Sequence, residues 1–185
     1  MNKLQQLLCL GLLIPVGSIQ AQDQLGAARY TAEGELMFPG NTDEWIFLGS
    51  SLGSDYGEGP FDPANPGTIG VVQMEPAAYR YFLENREYAN GTMMLLTFYA
   101  SDAQSSPQLP GFVQGQKTAK EIHLIDKSRF DEGRGFFLYP AEASPGAASG
   151  KLPDNSTCIQ CHIPEGEFDG TFTQFYPTIR DLVVQ

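Results

Sequence analysis

The stretch Asn90-Gly91-Thr92-Met93-Met94-Leu95-Leu96-Thr97-Phe98-Tyr99-Ala100 decides the fold class. Asn-Gly is a turn signal, and the apolar run behind it, rich in aliphatic and aromatic residues and closed by Ser101-Asp102, has the chemistry of a buried strand. Upstream, Thr68–Met74 (TIGVVQM) and Trp45–Leu48 read as two more strands, separated by a Gly-, Pro-, Ser- and Asp-rich loop over Ser50–Gly67. Glu75-Pro76 opens a helix that runs through AAYRYFLENR, with proline at its first position and Tyr79, Phe82 and Leu83 as its apolar stripe.

Downstream, a polar loop over Ser101–Gly115 leads to a fourth strand around Glu121–Ile125. A link over Ser128–Glu132 leads to a fifth, Gly135–Tyr139. Residues 23–43 read as a short helix and a loop, Ala141–Asn155 as a loop, and Phe168–Val184 as one short helix plus coil. Strands joined by hairpin-like connections, with one long helix, predict an α+β fold: mainly an antiparallel sheet of about five strands with a few flanking helices.

The chain begins with Lys3, an apolar run from Leu7 to Val16, and then Ser18-Ile19-Gln20-Ala21. That is the layout of a secretory signal cut after Ala21, and it is too short for a membrane span, which needs about 20 apolar residues. Residues 1–21 are therefore expected to be a signal peptide and 22–185 a single domain, periplasmic or secreted, with no membrane span. The full chain carries a net charge of −11. Residues 1–21 hold Lys3 as their one charge, so the remainder is more acidic still. Such a chain does not bind nucleic acid through phosphates.

Of three cysteines, Cys9 lies in the signal, leaving Cys158 and Cys161 in Cys158-Ile159-Gln160-Cys161-His162. Two cysteines three residues apart cannot staple a fold, so they do chemistry or hold something that does. Three chemistries compete. Zinc needs a fourth ligand, and the other of the two histidines, His123, stands in an apolar strand without a companion. A redox disulfide of the thioredoxin type belongs at a helix start directly after a buried strand, whereas Leu152–Thr157 is a polar loop. A c-type haem uses all three residues: two thioether bonds to one porphyrin edge, and the adjacent histidine beneath the iron. Export and the absence of other cysteines in 22–185 favour one covalent haem c, with Cys158 and Cys161 attaching it and His162 as the proximal iron ligand.

With these residues in view, the chain resembles the cytochrome P-460 family, whose relatives include the cytochromes c prime-beta. The landmarks are Glu44-Trp45 and Gly49, Glu75-Pro76 with Tyr79, Asn90-Gly91-Thr92, Asp126-Lys127 with Arg129-Phe130, and Gly135-Phe136-Phe137. Cys158, Cys161, His162 and then Phe172, Gln174-Phe175-Tyr176-Pro177 complete them. The resemblance implies a largely antiparallel β fold with haem packed against the sheet, a homodimer, and one haem whose far side is open. Its members bind nitric oxide or carbon monoxide, or oxidise hydroxylamine. Three departures stand out. The lysine that crosslinks to haem in the hydroxylamine-oxidising members falls at or near Leu96, and Thr92–Ala100 contains no lysine. A tryptophan common before the Phe-Phe pair is Gly135 here, and Gly70–Met74 lacks a His-Asn seen in many relatives.

Leu96, Phe98, Phe136 and Phe137 are candidates to line the far side of the iron. His123 shares a strand face with Glu121 and Ile125, and a lone strand histidine is more often a surface or satisfied side chain than a ligand. Met74, Met93 and Met94 read better as core filling than as thioether ligands, and adjacent Met93 and Met94 face opposite ways. Glu121 and Glu142 have no placement relative to the iron. The functional expectation is a monohaem cytochrome that binds a small diatomic gas or passes electrons to a redox partner protein. The alternative is an enzyme oxidising hydroxylamine or detoxifying nitric oxide.

Overall fold

The computed structural model describes residues 28–54, 61–105 and 108–183; the expected signal, residues 1–21, lies outside them. The fold is α+β. Strand β1 (Leu36–Met37) pairs with β7 (Ala148–Ser149) in a small antiparallel ribbon. The main antiparallel sheet runs in sequence order: β2 (Ile46–Leu52), β3 (Thr68–Met74), β4 (Thr92–Gln104), β5 (Gly111–Ile125) and β6 (Arg134–Pro140). Helix α1 (Pro76–Asn85) joins β3 to β4, and α2 (Thr157–Glu165) follows β7.

Strand β4 sits at the centre and is apolar on both faces, because both faces are covered. Its alternate residues serve two cores. Met93 and Leu95 join Ile122, Leu124, Phe137, Tyr139, Phe38 and Trp45 on the face under the β1–β7 ribbon. Met94 joins Leu48, Met74, Phe82, Tyr88, Tyr176 and Ile179 on the other. Helix α1 covers that second face. The Glu75 side chain caps it by accepting from the Ala78 N–H at 2.8 Å, Pro76 occupies its first turn, and Arg86 at φ 60 ends it in the left-handed conformation. Phe82 from α1 is fully buried and stacks on Tyr88 at 4.7 Å, a burial that contributes about 1.5–3 kcal/mol.

The expected strands exist, but four are longer than their apolar cores. β2 reaches Leu52, β4 reaches Gln104, β5 begins at Gly111, and β6 covers Arg134–Pro140. Residues 101–104 pair with 111–114, so the ends of the presumed loop are a two-stranded extension held by backbone hydrogen bonds and not by an apolar face. From residue 28 onward, the expected short helix is replaced by extended chain with a bridge from Tyr30 to Leu36 and the strand β1. A single-turn 3-10 segment, Thr42–Glu44, follows. The Ala141–Asn155 loop contributes β7, and the tail forms two single-turn 3-10 helices, Thr173–Phe175 and Arg180–Leu182, instead of one helix. Among the described residues no helix is long and apolar enough to cross a membrane.

Candidate functional site

Helix α2 carries Cys158, Cys161 and His162 within little more than one turn. Cys158 and Ile159 pack with Phe136 against the sheet and are buried, whereas Cys161 and His162 are half-buried. Among the described residues neither cysteine forms a disulfide. Between α2, the sheet and the tail lies a cavity of about 270 Å³. The sheet contributes Gly49, Val72, Met94, Leu96, Phe98, Glu121 and His123 to it, α2 contributes Cys161 and His162, and the tail contributes Phe172, Phe175 and Tyr176. Ser50, Ser51 and Ser54 add polar groups to the lining.

The register explains the membership. In cross-strand order, Val72, Leu96, Glu121 and Leu138 form one rung, and Met74, Met94, His123 and Phe136 form the next. Residues two apart on a strand face the same way, so Leu96 brings Phe98 and Glu121 brings His123. Phe136 stands behind the two histidines, stacked on His123 at 4.3 Å and tilted against His162 at 4.6 Å. Phe137, expected beside it, points to the opposite face and is buried with Trp45 and Phe38. Consecutive strand residues cannot share a wall, so Phe137 is not part of the cavity. The same parity places Met94 at the cavity and Met93 in the opposite core, while Met74 is fully buried against α1. Glu142 is exposed and lies outside the cavity.

His162 is held by its surroundings. Its Nδ1 lies 2.9 Å from the Gly170 carbonyl oxygen, which can only accept, so Nδ1 carries the proton and the Nε2 lone pair is left for a ligand. Burial pushes the ring below its ordinary pKa, the Gly170 contact opposes this, and the positive charge of Arg134 adds to it, so the imidazole is neutral near pH 7. Phe172 packs against the ring at 4.5 Å and stacks in turn on Phe175 at 5.7 Å. The Gly170 carbonyl is fixed from β6. Arg134 donates from Nη1 to the Asp169 carbonyl at 2.5 Å and lies 3.7 Å from its carboxylate, which also pairs with Lys127 at 2.9 Å. Gly170 has φ 65, and a Cβ there would stand 1.3 Å from Arg134 Nη1, so both conformation and space demand glycine.

Neither a surface nor a satisfied side chain, His123 is buried and meets His162 edge-on, with ring centroids 5.2 Å apart, and its Nε2 has no hydrogen-bond partner among the described residues. Burial first, then the neighbouring His162 and Arg134, hold its pKa well below the ordinary value. Glu121 is buried, and Cys158 Sγ donates to its Oε2 at 3.5 Å. Burial pushes its carboxyl up to about 7, partly opposed by the thiol contact. The alternation of Glu121 and His123 in an apolar strand was the available signal for both; the sequence could not show that α2 lies above that face.

A larger hollow, about 400 Å³, is bordered by Arg29, Asn41, Glu44, Trp45 and Glu75 and contains neither cysteine nor histidine. Among the described residues no group of three or more His, Cys, Asp and Glu side chains converges as a metal-ion site. The donor set suits a different group: two thiols on one helical turn, of which Cys161 lines the cavity, a neutral imidazole with Nε2 available, and an apolar wall of Val72, Met94, Leu96, Phe98 and Phe172.

The family model described as cytochrome P460 matches residues 39–173, most of the chain. The chain belongs to the cytochrome P460 family. As a member it is a haem- and iron-binding cytochrome, and the matched span contains the whole five-stranded sheet, α2 and Phe172. Comparison with curated proteins gives no match. Two positions singled out by the sequence resemblance can be placed in the fold. At Gly135 a Cβ would lie 2.9 Å from the Phe137 ring and 3.1 Å from that of Phe130, so the two rings crowd this position. Leu96 lines the cavity, and none of the described residues that border the cavity carries an amine.

Proposed function

We propose that the protein is an exported monohaem c-type cytochrome, cut after Ala21 to leave residues 22–185 as one domain. Its single haem is held by thioether bonds to Cys158 and Cys161, with His162 Nε2 as the proximal ligand and the haem packed against the sheet. The observation that carries this is the Nδ1 contact of His162 with the Gly170 carbonyl, which orients a neutral imidazole on the same helix turn as the two thiols. A haem held there supplies a one-electron couple and, with an open far side, a position for a small neutral ligand. The apolar wall of Leu96, Phe98, Val72 and Met94 suits nitric oxide or carbon monoxide and disfavours ions that need hydrogen-bond partners. Electron exchange with a redox partner protein, assembly as a homodimer and a periplasmic location belong to the same reading.

A second reading is oxidation of hydroxylamine or removal of nitric oxide at the same haem. One observation favours it: Glu121 places a protonatable carboxyl in the cavity wall. The absence of an amine at Leu96 counts against the crosslinked haem of the hydroxylamine-oxidising relatives.

Haem staining of the exported protein on a denaturing gel tests the attachment, since thioether-bound haem survives denaturation; a colourless band overturns both readings. An ordinary c-type reduced spectrum, together with a spectral change on adding carbon monoxide, is the result expected of the first reading. A displaced Soret band typical of a crosslinked macrocycle would support the second.

A further inference from the structure

We propose that Glu121 exchanges a proton with solvent as the haem iron changes oxidation state, so that electron uptake at this site is coupled to proton uptake by a carboxyl in the cavity wall. The inference rests on the haem proposed above and concerns this chain's own residue toward it.

Glu121 is a carboxyl whose rung neighbours across β4 and β6, Leu96 and Leu138, are both apolar. It touches Cys158 and lines the cavity together with Cys161 and His162, so it contacts one of the three residues that hold the haem and shares the cavity wall with the other two. The titratable groups facing this wall are Cys158, Cys161 and His162 from α2, His123 from its own strand, and Tyr176 from the tail. None is a cation near neutral pH. His123 and His162 are held neutral by burial, and burial raises Tyr176 beyond reach. Arg134, whose charge the two histidines feel, is engaged with Asp169. Lys120, the adjacent residue, turns to the other face, over the Phe38 ring and onto the Ala143 carbonyl.

Among the described residues the thiol of Cys158 is the one hydrogen-bond donor that reaches Glu121. As a thioether that sulfur has no proton to give, so attachment removes the contact that favours the ionised form and moves the carboxyl further toward its neutral form. Reduction then adds one negative charge to the iron centre. In a water-poor cavity that charge disfavours an ionised carboxylate nearby. The balanced step is ferric protein with ionised Glu121, plus one electron from a one-electron donor and one proton from solvent, giving ferrous protein with protonated Glu121. At low pH Glu121 is protonated in both oxidation states, and at high pH it is ionised in both. Between those limits the midpoint potential falls as pH rises.

The test is a spectroelectrochemical titration of the holoprotein across pH 5–9, parent against Glu121→Gln. The parent potential is expected to fall from one plateau to a lower one. A tenfold change in Glu121 acidity between oxidation states corresponds to a total drop of about 59 mV. The Gln variant is expected to stay near the low-pH plateau throughout. Any slope left in it belongs to other groups, and His123→Phe is expected to leave the parent slope intact. A parent potential independent of pH, or an equal slope in parent and Gln variant, overturns the inference while the haem stain remains positive. Absence of bound haem instead fails the reading beneath it. If the Gln variant does not fold, redox-difference infrared spectra of the parent at neutral pH decide: a protonated-carboxyl C=O band that appears on reduction and shifts in heavy water supports the coupling, and no such band refutes it.

Discussion

Replacing Gly170 by alanine attacks the support of His162 without touching the imidazole. Two costs add. At φ 65 an alanine occupies the left-handed region, about 1–2 kcal/mol. Its Cβ would also stand 1.3 Å from Arg134 Nη1, so the guanidinium must leave its 2.5 Å bond to the Asp169 carbonyl. A charge-assisted bond of this kind contributes about 1.5–3 kcal/mol, and the Arg134 side chain is only 13% exposed, so water replaces it poorly. Gly170→Ala is therefore expected to lower stability by about 2.5–5 kcal/mol, and Arg134→Ala by about 1.5–3 kcal/mol.

The double variant discriminates the cause. With the guanidinium already gone, the alanine meets no clash, and the pair should cost about 1.5–3 kcal/mol less than the sum of the single changes. Urea denaturation of parent, both single variants and the double supplies the four free energies. Strict additivity would refute the claim that Arg134 occupies the space a Cβ needs. A Gly170→Ala variant within about 0.5 kcal/mol of the parent would refute the left-handed constraint as well.

Phe136→Ala and Phe137→Ala should each cost about 3–5 kcal/mol by thermal or urea unfolding, but only the first should perturb the haem absorption spectrum, because only Phe136 touches His162. Equal spectral effects would contradict the assignment of the two rings to opposite faces. In haem-free protein the raised pKa of Glu121, about 7 against an ordinary 4.5, means the folded state binds more protons than the unfolded state between those values. Stability from this group is thus highest below pH 4.5 and falls as pH rises, by up to about 3 kcal/mol above pH 7. Glu121→Gln should therefore be the stabler chain at pH 8 and lose that advantage near pH 4; the reverse trend in chemical denaturation would exclude a buried, uncompensated carboxyl. His123 has the opposite character: its pKa is held low, so it opposes folding as pH falls below its unfolded value of about 6.5. His123→Phe should flatten the acid limb of the apoprotein stability curve and remove the buried nitrogen without a partner; a steeper acid limb would count against it.

The elements that the sequence determined are those governed by local rules. Asn90-Gly91 opens β4 because Gly91 takes φ 90, and Glu75-Pro76 starts α1 because a carboxylate can cap the backbone N–H groups that proline leaves behind. Apolar runs located the five strands of the main sheet but not β1 and β7, and Cys158, Cys161 and His162 could be read together because they lie within five residues on α2. The strand ends were less legible, since residues 101–104 and 111–114 pair through backbone groups that carry no sequence signature.

Tertiary structure decided which residues share the site. Leu96, Glu121 and Leu138 meet in one rung only because three strands pair in a particular register, and a shift of one residue would have turned Glu121 to the far face. The same parity separates Phe136 from Phe137. Loop geometry supplied the rest: the Gly170 carbonyl reaches His162 because Arg134, from a strand far away in sequence, holds the Asp169–Gly170 turn. Sequence spacing along one helix turn survives folding unchanged, whereas contacts between strands and turns depend on how the whole chain closes.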